Sequence, residues 1–174
     1  MWGRARAAAA QALTRDVDVF ERLGYRPGAA DGTLARRLEP PDGARPLVVR
    51  LAQQGRVFGG AYALEVSTDA AVLPQTRGLS ARGRGIVRLA RVSFRARRGD
   101  DAGAALARRL DGDAALQRAL AAVHFERVRV EPDGRAVVRH MGGSVVWVLF
   151  PPVLRPVPFT VEQARATVAA LEAF

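Results

Sequence analysis

His124-Phe-Glu-Arg-Val-Arg-Val-Glu-Pro-Asp-Gly-Arg-Ala-Val-Val-Arg-His-Met-Gly-Gly-Ser-Val-Val-Trp-Val-Leu-Phe150 holds three short β-branched runs, divided by two turn signals, Pro132-Asp133-Gly134 and Gly142-Gly143. The first signal fits a three-residue hairpin loop, a type I turn closed by a left-handed Gly. That loop pairs Glu131 with Arg135, Arg129 with Val137, Arg127 with Arg139 and Glu126 with His140. The second fits a two-residue primed turn, pairing His140 with Val145 and Val138 with Trp147. One face of the meander then carries Val128, Val130, Ala136, Val138, Val145, Trp147 and Leu149, with His124, Glu126 and His140 at one end. The other carries Arg127, Arg129, Arg135 and Arg139 among Phe125, Val137, Val146, Val148 and Phe150. A two-residue Asp133-Gly134 turn would slip the first strand by one and bury Arg127 and Arg129, so side-chain parity selects the longer loop.

Outward from this unit, the chain alternates strand and helix signals. Residues 3–23 read as a helix: Ala is the best helix former, Leu13, Val17 and Phe20 recur at helical spacing, and Gly24 supplies a stop. Residues 25–46 are rich in Pro and Gly and read as loop, with a short strand at 33–39. Strands are expected at 46–53 and 56–66, the latter with Tyr62, Leu64 and Val66 on one face. Residues 67–85 read as a basic loop in which Gly78, Gly83 and Gly85 interleave with Arg77, Arg82 and Arg84. A strand at 86–97 follows, with Ala90, Val92, Phe94 and Ala96 opposite Arg91, Ser93, Arg95 and Arg97. Asp100 or Asp101 suits the cap of a helix at 102–110, Asp113 that of a second at 114–123, and Thr160 with Gln163 a capping box for a last helix at 161–173. Pro151 and Pro152 end the final strand, and no repeat with a period of 20–50 residues is found. The expected architecture is one α+β domain over residues 1–174, with about six antiparallel strands, an N-terminal helix, a helical pair inserted mid-chain and a C-terminal helix on one face.

A chain of 174 residues buries roughly 70% of its unfolded surface around one core. It contains no Cys, which removes disulfides, thiolate nucleophiles and Cys-based zinc sites. All 27 basic residues are Arg, against 17 acids, for a net charge of +10. The absence of Lys and Asn, beside abundant Ala, Gly and Arg, reads as the codon usage of a GC-rich bacterial genome. That bias explains the choice of Arg but not the excess of base over acid. Net charge speaks to partners, and +10 favours an anionic one: nucleic acid, an anionic membrane surface or an acidic protein. Arg4 and Arg6 are followed by no strongly apolar region, and no apolar run reaches the roughly 18 residues of a transmembrane helix. A cytoplasmic location and no membrane span are expected; oligomeric state is not legible in these residues.

Three constellations stand out. His124, Glu126 and His140 are metal-ligand and acid–base types brought to one end of one face, an arrangement suited to a metal-bound water or to hydrolysis. The plainer account is a cross-strand pair between His140 and Glu126 at the edge of the core. Arg127, Arg129 and Arg139, extended by Arg91, Arg95 and Arg97 if their strand joins the same sheet, form an anion-binding candidate. Arg127 opposite Arg139 costs about 0.2–1 kcal/mol unless an acid or bound anion compensates. Otherwise the stems lie over Val137, Val146 and Val148. Trp147, Leu149, Val153 and Leu154 are candidates to line an apolar pocket between sheet and last helix, or to strap that helix down. No HExxH, GxSxG, P-loop or GxGxxG pattern occurs, and no cofactor is implied.

Gly-Gly-Ser-Val-Val-Trp-Val-Leu-Phe-Pro-Pro-Val-Leu-Arg-Pro at 142–156, with the helical pair, meander and terminal helix, resembles an uncharacterised bacterial family of unknown function over the C-terminal half. The resemblance implies no activity and no residue roles. The leading expectation is a non-enzymatic binding module with a basic surface for an anionic partner. Second is a small-molecule or lipid-binding α+β cup; third is a metal-dependent hydrolase using His124, Glu126 and His140.

Overall fold

The computed structural model describes residues 2–41, 43–56, 59–84, 91–148 and 153–174. Along them run α1 (Trp2–Glu21), β1 (Arg26–Ala30), β2 (Ala35–Glu39), β3 (Leu47–Arg56), β4 (Gly59–Thr68), β5 (Leu79–Arg84) and β6 (Arg91–Ala96). Then come α2 (Asp101–Gly112), α3 (Ala114–Ala122), β7 (Phe125–Val130), β8 (Ala136–His140), β9 (Val145–Val148), β10 (Val153–Pro156) and α4 (Val161–Glu172). The fold is α+β, with the N-terminal helix, mid-chain helical pair and C-terminal helix that the sequence indicates.

Each helix boundary has a local cause. At the end of α1, Gly24 is left-handed (φ +89°), and the Tyr25 and Gly24 amides donate to the Phe20 and Glu21 carbonyls at 3.2 and 2.9 Å. This is a Schellman closure, completed by edge-on contact of the Phe20 and Tyr25 rings at 6.2 Å. Asp100 caps α2 through the Gly103 amide, and Asp113 caps α3 through the Ala115 and Leu116 amides. Thr160 and Gln163 form the reciprocal capping box of α4.

The strands form one antiparallel sheet in the order β1-β2-β3-β4-β8-β7-β5-β6, with β9 also on β4 and β10 on β9. Among the described residues ten strands stand in place of the roughly six expected. The short strand expected at 33–39 is β2, the stretch before it that reads as loop supplies β1, and the expected loop at 67–85 contains β5. β5 has little β propensity (Leu-Ser-Ala-Arg-Gly-Arg), yet it pairs on both sides, with β6 and with β7. Tertiary pairing overrides local preference here. Residues 153–156, read as part of a Pro-rich turn, form the outer strand β10, where Pro156 costs no ladder bond. Of the strand expected at 86–97, residues 91–96 form β6 and residues 86–90 lie outside the described residues.

The Pro132-Asp133-Gly134 loop takes the expected form, with Gly134 at φ +86° and the Glu131 amide bonded to the Arg135 carbonyl at 2.9 Å. The Gly142-Gly143 turn is a correction: β8 and β9 do not fold back on each other. Both run antiparallel along β4, with Arg139 opposite Glu65 and Val145 opposite Tyr62. They are one strand interrupted by an outward break at 141–144 that takes up three extra residues. The break is held by Gly143 donating to the Val157 carbonyl and Val157 to the Ser144 carbonyl, at 2.9 and 2.7 Å. A Cβ on Gly142 would meet the Pro158 carbonyl, and one on Gly143 would strike the Leu64 side chain. These glycines permit close approach rather than chain reversal.

The helices cover one face of the sheet. α1 contacts β1, β3 and β9; α4 contacts β4 and β8; α2 and α3 contact β6. Leu38, Val49, Leu64, Val66, Val138, Val128, Leu79 and Phe94 point into the core so formed. The outer edge of β6 is closed by side chains: the Phe94 and Val92 amides donate to Asp111 and Gln117 at 2.8 and 3.1 Å. That contact protects an edge otherwise open to pairing.

Candidate anion-binding site

The uncovered face of the sheet positions the arginines. Cross-strand register makes one row of Arg37, Val48, Ser67, Val137, Arg129, Ser80 and Arg95, and a second of Ala35, Arg50, Glu65, Arg139 and Arg127. The like-charge pair of Arg127 and Arg139 is therefore real, and Glu65 is the acid that compensates it.

Glu65 is 1% exposed, at the centre of the open face. Arg139 donates to Oε1 from Nε at 2.8 Å and from Nη2 at 2.5 Å. Arg129 reaches the same oxygen at 2.9 Å, and Arg50 binds Oε2 from Nη2 at 2.6 Å. Burial by itself pushes this carboxyl's pKa up, but hydrogen bonds from Arg139 and Arg50 and the nearby charges of Arg129 and Arg50 hold it below its ordinary value. Glu65 was not singled out in the sequence. The signal was the alternation at 62–66, which sets it opposite the apolar face; only the pairing of β4 with β8 gives it partners.

Beside this network lies a cleft of about 360 Å³ lined by Arg77, Ser80, Arg95, Arg97, Arg127 and Arg129, with Glu131 at its edge. Arg129 is committed to Glu65 and, at 3.3 Å, to Glu131. Arg95, Arg97 and Arg127 make no ion pair among the described residues, and all three line the cleft. Arg77 is held there by its amide, which donates to Asp100 Oδ2 at 2.8 Å. Hydrogen bonds from the Gly103 and Arg77 amides keep the Asp100 carboxyl below its usual pKa, so it stays anionic while serving as cap.

Of the expected anion-binding residues, Arg95, Arg97, Arg127 and Arg129 meet in the cleft, and Arg139 sits one row away on Glu65. Arg91 opens β6 opposite Arg84, but its side chain lies outside the described residues. Arg77 joins the group from the loop before β5.

The histidine constellation does not form. A bulge between Phe125 and Arg127 places Phe125, not Glu126, opposite His140. Glu126 and His124 turn outward and are exposed, whereas His140 is buried under α4. Its Nε2 lies 3.2 Å from Thr167 Oγ1, which itself donates to the Gln163 carbonyl at 2.6 Å, so the ring is the donor to Thr167. Burial lowers the His140 pKa to about 4, opposed by the His124 backbone. Phe159 packs edge-on against the ring at 5.1 Å. No group of three metal-capable side chains occurs among the described residues.

The apolar pocket is also relocated. α4 packs on the sheet through Ala164, Thr167, Ala170 and Leu171, all buried, which fill the space where the pocket was expected. Trp147 is buried against Tyr62, Val153 and Leu154 are exposed on the outer strand β10, and Leu149 lies outside the described residues. A cavity of about 750 Å³ opens on the helix-free face instead.

Among the described residues no helix is long and apolar enough to cross a membrane. Comparison with curated proteins and with solved structures returned no match. The likeness expected for the C-terminal half extends much further, since the model of DUF3156, described as a protein of unknown function, matches residues 21–174. With nearly the whole chain matched, this protein belongs to the DUF3156 family.

Proposed function

We propose that this chain is a non-enzymatic, cytoplasmic binding module that holds an anionic macromolecule, a nucleic acid or an acidic protein surface, in the arginine cleft. The observation that carries the reading is the convergence of Arg95, Arg97 and Arg127, none in an ion pair among the described residues, with Arg77 on one cleft of the open face. Guanidinium forks match phosphate and carboxylate geometry, and the +10 net charge draws such partners to the surface. Glu65 and Glu131 fix the orientation of Arg129 at the cleft, which lowers the entropic cost of using that side chain.

Retention on heparin and affinity for duplex DNA, measured across a salt series, test the reading. Each displaced phosphate counterion contributes a slope of about −0.9 in log K against log salt. Replacing Arg95, Arg97 and Arg127 together by Gln is expected to flatten that slope by about 2–3. Affinity that ignores salt, or a triple variant with unchanged slope, rejects the proposal.

A further inference from the structure

We infer that the 750 Å³ cavity on the helix-free face is a site for a linear acyl chain bearing an anionic head. Its floor is the first half of β4, Gly59-Gly60-Ala61 and Ala63, where short side chains leave the sheet bare. On the open face a Cβ at Gly59 would strike the Trp147 carbonyl, and on the core face one at Gly60 would strike the Trp147 indole, so neither position tolerates a side chain. The walls are Met141, on the outward break between β8 and β9, together with Val146 and Val148. Met141 is 69% exposed and Val146 38%, an arrangement that leaves apolar surface in water beside an open cavity. The volume falls within the range of about 300–1,000 Å³ usual for small-molecule sites.

Charge selects the head. Ala63 lies two residues along β4 from Glu65, about 7 Å away on the same face. There Arg50, Arg129 and Arg139 surround the Glu65 carboxylate, Arg129 also pairs with Glu131, and Arg127 lies opposite Arg139. Arg50 lies two residues along β3 from Ala52, the partner of Ala63 at the apolar floor. Glu126 and Gln54 also line the cavity. The Glu126 carboxylate repels an anion at the β7 side, so the head lies toward Arg50 and the chain runs over Ala63 and Ala61 to Val146. A carboxylate and a phosphate head meet the same recognition.

The test is calorimetric titration of the intact chain with tetradecanoate, tetradecyl phosphate, tetradecanol and tetradecyltrimethylammonium, each below micelle formation. One-to-one binding of the two anions is expected, at least tenfold tighter than that of the alcohol or the cation; the stronger anion identifies the head. Ala61→Phe fills the cavity, and Val146→Glu places a charge at a half-exposed site that folding tolerates; each is expected to weaken tetradecanoate binding at least tenfold. Arg50→Gln is expected to bring tetradecanoate down toward the alcohol. The cation binding as tightly as the anions overturns the inference, as does unaltered binding by a folded Val146→Glu variant. Uptake by phosphatidylglycerol vesicles without one-to-one binding of the soluble amphiphiles reassigns the patch to a membrane surface and equally overturns the pocket. Retention of DNA binding by Val146→Glu separates this site from the arginine cleft.

Discussion

Glu65→Gln is the perturbation that tests the electrostatic design of the open face. The side chain is 1% exposed and accepts from three guanidiniums, so the variant keeps the shape and removes the one charge that holds Arg50, Arg129 and Arg139 together. Removing one partner of a buried ion pair costs about 3–5 kcal/mol. The three arginines differ in how much water they keep: their side chains are 48%, 24% and 14% exposed. Arg50 and Arg129 recover hydration, and Arg139, the least exposed, is stranded beside Arg127. The loss is therefore expected at the low end, about 3 kcal/mol. For a chain of this length that corresponds to a fall in Tm of roughly 6–12 °C. Urea denaturation followed by circular dichroism reads it, with an unchanged m value showing that the same surface is exposed. The pH dependence supplies an internal control. The folded pKa of Glu65 lies below its ordinary value, so its stabilisation is present above the unfolded pKa of about 4.3 and is lost as pH falls through the folded pKa. The gap between wild type and variant is expected at pH 7 and should close in strong acid. A gap below about 1 kcal/mol, or one unchanged at acid pH, refutes the argument.

Three further outcomes follow from buried groups. Folded His140 has a pKa of about 4 against about 6.5 unfolded, so the protein is expected to lose up to about 3 kcal/mol as pH falls from 6.5 to 4; an NMR titration with a His140 midpoint near 6.5 would contradict this. Asp16 is buried on α1, its Oδ2 makes no hydrogen bond, and burial, only partly opposed by Arg15, raises its pKa to about 8. A folded pKa above the unfolded one means that Asp16 weakens the fold increasingly between about pH 4 and 8, so Asp16→Asn should stabilise by about 1–3 kcal/mol at pH 8 and by little at pH 4; equal denaturation midpoints at pH 8 count against it. Gly60→Ala drives a methyl into the Trp147 ring and is expected to cost about 1–3 kcal/mol with a change in Trp fluorescence; a neutral effect would mean that the indole is not seated on β4.

Legibility followed the range of the interactions. The Pro132-Asp133-Gly134 loop was readable because a one-residue slip would have buried Arg127 and Arg129, a penalty visible in the local pattern alone. Gly142-Gly143 was misread because a Gly pair allows both a hairpin and a close approach, and only the proximity of Leu64, Pro158 and Asp16 selects the second. The bulge at Glu126 left no mark in the alternation of β7, and it moved Glu126 away from His140. Four of the five arginines of the cleft were legible as same-side positions on two expected strands. Arg77 was not, because its place depends on a contact between the loop before β5 and Asp100, 23 positions later.

The sequence by itself determined the helix boundaries, the side-chain parity of β6 and β7 and the excess of Arg, because caps, period-two alternation and net charge are properties of neighbouring residues. Only the tertiary structure decided which strands adjoin. β5 became a strand because β6 and β7 lay on either side of it, and Glu65 became the hub of three arginines because β4 met β3 on one side and β8 on the other. Sheet order arises from non-local packing, which neither the period nor the composition of any single strand encodes.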